Sequence, residues 1–298
     1  MSSMDGKVVL ITGATNGIGE VTARELAQMG AEVVIVGRNR ERCLATVDRI
    51  QKHTGRTNIS FIVADLSKMS DVRYVAQEFL STHDKLHVLI NNAGAMYAQR
   101  HVTEDGYEMM LALNHLSYFL LTHLLLDVLK KTAAVEGETR IINVSSEAHR
   151  LAKSIDFDDL QREKRFHLGI YNETKLMNIM FTYDLVDRLR GTRVTANCLH
   201  PGLVRSNFGK NNNILVAAFW TLFQFFSGIS IDEGAETSIY LASSPEVQGL
   251  SGRYYELKKE RRTTDLSYNL VARKRLWQAS EILVGLAPDK PLLAQTKG

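Results

Sequence analysis

The sequence predicts an α/β fold: one doubly wound parallel sheet, covered by helices on both faces, in a single domain over residues 1–298. Three observations carry this expectation. Short runs rich in Val and Ile alternate with stretches whose apolar residues recur at helical period. The first run is followed directly by a glycine-containing turn, and no linker rich in Pro, Gly or Ser divides the chain. A chain of 298 residues can bury a core large enough for one such domain.

Residues 7–12 read as the first strand and residues 20–29 as the first helix. Residues 31–37, 41–52 and 59–64 repeat strand, helix and strand, completing a βαβαβ pattern that implies parallel pairing with both faces covered. The alternation continues with helix 72–80, strand 87–90, a long helix 107–130, strand 139–144, helix 171–189 and strand 194–199. Prolines stand only at 201, 245, 288 and 291, so none interrupts the first 200 residues. Regularity is lowest after Pro201. Ligands of open parallel sheets bind beyond the carboxyl ends of the strands, so function is expected in the loops there.

Composition excludes several function classes. A net charge of +3, from 36 basic and 33 acidic residues, is too small a bias for a nucleic-acid partner. The basic clusters 258–262 and 273–275 read as solvated surface, with anionic lipid or a cofactor phosphate as the alternative contact. Cys43 and Cys198 have neither a CxxC nor a zinc-type spacing, so neither a disulfide nor a metal site is expected. No signal peptide precedes the first strand, which predicts a cytoplasmic protein. The apolar segment 214–231, with Phe219, Trp220, Phe223, Phe225 and Phe226, reads as a substrate-covering or core-packing flap within an insertion around 205–232, followed by a C-terminal extension. Peripheral contact of that segment with a membrane is the second reading.

The turn from Thr12 to Gly19 joins the first strand to the first helix. Gly13, Gly17 and Gly19 form a GxxxGxG spacing that allows a tight turn, close backbone approach and a helix N-terminus aimed at a pyrophosphate, with Thr15, Asn16 and Ile18 between them. Nicotinamide choice is read at the end of the second strand, where an NAD enzyme commonly holds an acid. Here Gly37 is followed by Arg38, Asn39, Arg40, Glu41 and Arg42. Arg38 suits a bidentate contact with a 2′-phosphate, supplemented by Asn39 and Arg42, so NADP(H) is expected over NAD; the alternative is surface charge. Asp65, followed by Leu66, is a candidate partner for an adenine amino group, although a capping role for Asp65, Ser67 or Ser70 would look the same. Asn91, Asn92, Ala93 and Gly94 supply small polar groups and free backbone beside the adenosine.

Tyr171 and Lys175 stand four apart, which on a helix puts a phenol and an ammonium on one face. A cation beside a tyrosine favours the phenolate and brings proton transfer within reach. The turn 12–19, Asp65, Asn91-Asn92-Ala93-Gly94, Asn114, Ser145, the Tyr171 and Lys175 pair and Pro201-Gly202 together resemble the short-chain dehydrogenase/reductases over roughly the first 206 residues. Arg38 at the second helix, Asn143-Val144-Ser145-Ser146 and Leu176-Met177-Asn178 look most like the retinol dehydrogenase-like branch.

The resemblance implies a Rossmann-type domain and a tetrad. Tyr171 would be the general acid in carbonyl reduction and the base in alcohol oxidation, Ser145 would hydrogen-bond the reacting oxygen, and Lys175 would lower the Tyr171 pKa and bind the nicotinamide ribose. Asn114, unfavourable within a helix by propensity, would hold a water that links Lys175 to solvent. Pro201, Gly202, Val204 and Ser206 would pass beside the nicotinamide and pyrophosphate. The charged loop 149–169 would build one rim of the cleft, although by composition it could be a solvated excursion. Met96, Tyr97, His149, Leu151, His167, Leu168 and Phe208 are candidates to line it.

The apolar flap points to a large apolar alcohol or carbonyl compound as substrate: a retinoid, lipid aldehyde or steroid. The alternatives are an NAD(H)-linked hydroxysteroid dehydrogenase and a catalytically silent dinucleotide sensor or scaffold. The resemblance implies that helices 107–130 and 171–189, which form the dimer face in many relatives, offer a candidate homodimer face at Leu116, Phe119, Leu120, Met180, Tyr183 and Leu185. The alternatives are that these residues pack on the chain's own sheet and that the chain is a monomer, as members closest to this branch sometimes are.

Overall fold

The computed structural model describes residues 3–202 and 229–287. Strands β1 (Val8–Thr12), β2 (Glu32–Gly37), β3 (Ile59–Val63), β4 (Val88–Asn91), β5 (Thr139–Val144), β6 (Val194–His200), β7 (Tyr254–Glu256) and β8 (Lys259–Arg261) form one sheet in the order β3-β2-β1-β4-β5-β6-β7-β8. Every pairing is parallel except that of β7 with β8. The central strands are buried along nearly their whole length, as a sheet covered on both faces requires.

Helices α1 (Gly17–Gln28), α2 (Arg40–Thr54) and, late in the chain, α7 (Ile231–Ser243) cover one face, over Val9, Ile11, Val33, Ile35 and Ile142. The other face carries α3 (Met69–Thr82), α5 (Ser117–Glu136), α6 (Ile170–Arg188) and the last helix, α9 (Leu270–Leu283), behind the four-residue α8 (Asp265–Tyr268). The result is a single Rossmann-type α/β domain. Strand order reverses between β1 and β4, and that switch point opens the crevice in which such sheets bind ligands.

Three features depart from the sequence reading. The helix expected over 107–130 starts as a three-residue turn, α4 (Met109–Leu111), and widens into a π-turn over Ala112–Leu116 before α5 begins. The chain after Pro201, the least regular in sequence, returns to the sheet edge: β7 joins β6 and a hairpin through Leu257 and Lys258 leads into β8. The expected dimer face is covered by the chain itself. Leu116, Phe119, Leu120, Met180, Tyr183 and Leu185 are all buried, and Phe119 and Phe181 pack on Trp277 of α9 with ring centroids 4.9 and 5.8 Å away.

Met109–Glu136 is the one stretch among the described residues long and apolar enough to cross a membrane, yet 72% of its apolar window is buried inside the fold, as befits a core helix. The apolar segment 214–231 lies outside the described residues up to position 228, as do the expected site residues Val204 and Ser206 and the cleft candidate Phe208.

Candidate active site

The glycine turn is tight for steric reasons. Gly13 has φ +66°, and a Cβ there would stand 2.7 Å from Ala93 Cα. A Cβ at Gly19 would stand 2.6 Å from both the Gly13 oxygen and Asn92 Nδ2. Gly17 has φ +57° and nothing within 4 Å of its Cβ position, so the turn leaves open space at the mouth of α1. Asn16 caps α1 through an extended backbone and without a side-chain bond, so the first N–H groups of α1 point unblocked into that space. This concave, donor-lined turn fits the pyrophosphate of a dinucleotide.

The turn is braced from β4. Asn92 Nδ2 donates to the Thr12 and Gly13 carbonyls at 2.9 and 3.1 Å, and Thr12 Oγ1 accepts from the Asn92 and Ala93 N–H groups at 2.9 and 3.0 Å. Asn91 does not face the crevice. It is fully buried beneath the sheet, where Nδ2 donates to Thr122 Oγ1 and Asn143 Oδ1, because side chains alternate along β4.

At the end of β2, a Cβ on Gly37 would stand 2.4 Å from Thr15 Cγ2 and 2.8 Å from Cys43 Sγ, so no larger residue fits without movement. Arg38 and Arg42 are exposed at this edge. Asn39 serves as the N-cap of α2, accepting the Arg42 N–H at 2.8 Å. Asp65 Oδ1 accepts from the Ser67 N–H and hydroxyl at 3.1 and 2.8 Å, so it builds its own turn. Neither Ser67 nor Ser70 caps α3; Asp105 accepts the Met69 N–H at 2.6 Å instead. The Leu66 side chain packs in the core, leaving only its backbone for the crevice. Pro201 and Gly202 follow β6, and Gly202 has φ +90° with its Cβ position 2.5 Å from Ile229 Cδ1.

The chemical end lies where β5 meets α6. Tyr171 and Lys175 project from one face of α6, and Lys175 Nζ lies 5.8 Å from the Tyr171 ring centroid and 5.9 Å from that of Tyr118. Lys175 is 3% exposed and donates to the Val144 carbonyl at 3.1 Å. Burial pulls its pKa down to about 7, and burial pushes Tyr171 up to about 12, against the opposing effect of a hydrogen bond from the Ser146 side chain. In this form the phenol is protonated, because desolvation outweighs that hydrogen bond.

Ser146, and not Ser145, faces the phenol. Ser145 Oγ donates to the Lys175 carbonyl at 2.7 Å and is buried against α6. Ser146, extended at φ −159° and ψ 153°, bonds the Tyr171 hydroxyl and also accepts the Ala148 N–H at 3.2 Å. Adjacent residues of an extended chain point opposite ways, so only one of the two serines can reach it.

Asn114 sits in the π-turn and is buried. Its Oδ1 accepts the Ala95 N–H at 2.9 Å, and its Nδ2 donates to the Ala95 carbonyl at 2.9 Å and Thr174 Oγ1 at 3.1 Å. Both ends of the amide are thereby committed to positioning the Gly94-Ala95 loop beside α6. A Cβ on Gly94 would touch Asn114 Oδ1 at 3.3 Å and Lys175 Nζ at 3.4 Å, so the missing side chain lets these two groups approach.

The loop 149–169 is anchored. Arg162, at φ +53°, is buried in an ion pair with Glu173, two residues past Tyr171, and Gln161 Oε1 accepts the Glu108 N–H at 2.8 Å. Phe166 of this loop joins Met96, Tyr97, Met110 and Ile170 in an apolar cluster against Tyr171. Leu151 and Leu168 are exposed, and His149 is buried with Nδ1 2.7 Å from the Ser146 carbonyl, so these lie outside that cluster. Sequence reasoning missed the role of Ser146 and missed Tyr118. The adjacent serines were a visible signal for the first, whereas the tyrosine gave none.

A family model described as short chain dehydrogenase matches residues 7–214. Retinol dehydrogenase 14 from Homo sapiens is 41% identical over 299 residues, covering 95% of this chain and 88% of that protein. Among solved structures, the NADP active-site complex of RhlG from Pseudomonas aeruginosa superposes with a TM-score of 0.67 at 26% identity, over 85% of this chain and 94% of that one. The 3-ketoacyl-(acyl-carrier-protein) reductase from Brucella melitensis, solved with NADH, gives the same TM-score and identity over 85% and 96%. Fold, glycine turn and the matched span agree: this chain belongs to the short chain dehydrogenase family and is an NAD(P)-binding oxidoreductase.

Proposed function

We propose that the protein is an NADP(H)-linked reductase and dehydrogenase that interconverts an apolar alcohol and its aldehyde or ketone, with Tyr171 as the general acid and base. The observation that carries this is the environment of Tyr171: a protonated, half-buried phenol bonded to Ser146 and packed against Met96, Tyr97, Met110, Phe166 and Ile170. An apolar wall of this kind favours a substrate with little polar surface beside its reacting oxygen. The relative named retinol dehydrogenase 14 supports the same substrate class.

When bound, the nicotinamide supplies or accepts the hydride. The chain's own part is alignment and proton management. Tyr171 gives its proton to the carbonyl oxygen in reduction and takes the hydroxyl proton in oxidation. Ser146 donates to that same oxygen as charge develops, and Lys175 offers a cation that stabilises the phenolate left behind. The N–H groups of α1 hold the pyrophosphate, and Arg38 and Arg42 take the 2′-phosphate. Gly37 supports this choice, since its packing leaves no room for the acid that NAD enzymes place there.

The test is the initial rate of NADPH and NADH oxidation with all-trans-retinal, a medium-chain aldehyde and a ketosteroid. Turnover should favour NADPH and vanish in Tyr171→Phe while NADPH binding persists; wild-type activity in that variant would refute the mechanism. Arg38→Ala should raise KM for NADPH by roughly ten- to hundredfold, the loss of one charge-assisted phosphate contact of about 1.5–3 kcal/mol, and leave KM for NADH nearly unchanged. An equal effect on both cofactors would rule out Arg38 as the reader of the phosphate.

A further inference from the structure

Glu147, His200 and Glu256 are far apart in sequence and meet at the carboxyl edge of the sheet. Glu147 opens the turn Glu147–Leu151 after β5, His200 ends β6 and Glu256 ends β7. His200 and Glu256 are direct partners in the β6–β7 register, which puts their side chains on one face. One ligating atom from each of the three residues lies within 4.8 Å of the other two.

His200 is only 9% exposed, and its Nδ1 is buried without a hydrogen-bond partner. A buried ring nitrogen without a partner, on a residue that meets two carboxylates, is free to take a ligand. We propose that these three residues bind a divalent first-row transition ion, Zn²⁺ or Mn²⁺, that ties the end of β5 to the ends of β6 and β7. One imidazole and two carboxylates form a donor set that suits such ions and lacks the thiolates of closed structural zinc sites.

The competing contacts are weak. Arg150 pairs with Glu147 and Arg261 with Glu256 at 3.5 Å, and both arginine side chains are substantially exposed, at 38% and 50%. Exposed pairs of this kind contribute little and yield readily to an ion. The Tyr254 hydroxyl donates to Glu147 Oε2 at 3.3 Å, and His149 stacks edge-on against that tyrosine, so the pocket floor is fixed. Ligands about 2.1 Å from a tetrahedral ion stand about 3.4 Å apart, so binding would draw the two glutamates in toward the strand-held His200. No motif announces the site, because its residues come from the turn after β5 and from the ends of β6 and β7.

The test uses the full chain after chelator treatment, titrated calorimetrically with Zn²⁺ alone and with Mn²⁺ alone, and melted with and without each ion. One ion per chain, with a raised Tm at saturation, is expected for at least one of them. His200→Gln and Glu256→Gln should each weaken binding about tenfold or more, whereas His53→Gln, at an exposed histidine, should not. Glu256→Gln keeps the test valid if the buried His200 variant folds poorly. Absence of binding and of any Tm shift with both ions would overturn the proposal, and so would binding that all three variants retain equally.

Discussion

Two adjacent serines illustrate how much one residue of register decides. Ser145 is buried with its hydroxyl on the Lys175 carbonyl, whereas Ser146 bonds the Tyr171 phenol. Ser146→Ala should therefore lower kcat by about 10²–10³ with little change in stability, the usual loss for one donor to a developing oxyanion. Ser145→Ala should instead cost about 1–3 kcal/mol in urea denaturation, as a buried hydrogen bond is lost, and leave kcat largely intact. Reversed phenotypes would return Ser145 to the chemical role. Lys175 supplies a pH prediction. Burial lowers its pKa from 10.5 to about 7, so between these values the folded protein holds fewer protons than the unfolded one. Wild-type stability should rise with pH across that window. Lys175→Met, which removes the buried amine, should show its largest stability gain over wild type below pH 7 and lose that gain toward pH 10; parallel pH–stability curves would disprove the burial effect.

At the scale of elements, the π-turn and the anchored loop do the positioning. The π-turn over Ala112–Leu116 carries Asn114 and seats it against Ala95 and Thr174. The loop 149–169 is held to α6 by Arg162 and Glu173, both buried. Arg162→Met should destabilise the protein by about 3–5 kcal/mol, because it strands the Glu173 carboxylate in the interior. The double variant Arg162→Met with Glu173→Met should recover most of that loss in thermal or urea melts. If the double variant is no better than the single, the pair is not the anchor.

For the whole molecule, α9 closes the outer face of α5 and α6, where a partner was a candidate. Trp277 is buried against Phe119 and Phe181, with the Arg188 guanidinium 3.8 Å above its ring. Trp277→Ala should cost about 3–5 kcal/mol by opening a cavity beneath α9. In sedimentation velocity the wild-type chain is expected not to self-associate through α5 and α6. Truncation before α8, which bares Phe119 and Phe181, should make the protein associate in a concentration-dependent way.

The sequence by itself determined the alternation of strand and helix, the parallel sheet, the glycine turn and the pair of Tyr171 and Lys175. Each is local, because period, turn chemistry and four-residue spacing are written within a few turns of chain. Tertiary structure alone decided which serine meets the phenol, that Asn91 turns into the core while Asn92 braces the turn, and that α9 covers the expected dimer face. It alone brought Glu147, His200 and Glu256 together. These outcomes depend on which face of a strand a residue occupies and on which distant element packs over it, and strand pairing and packing set both.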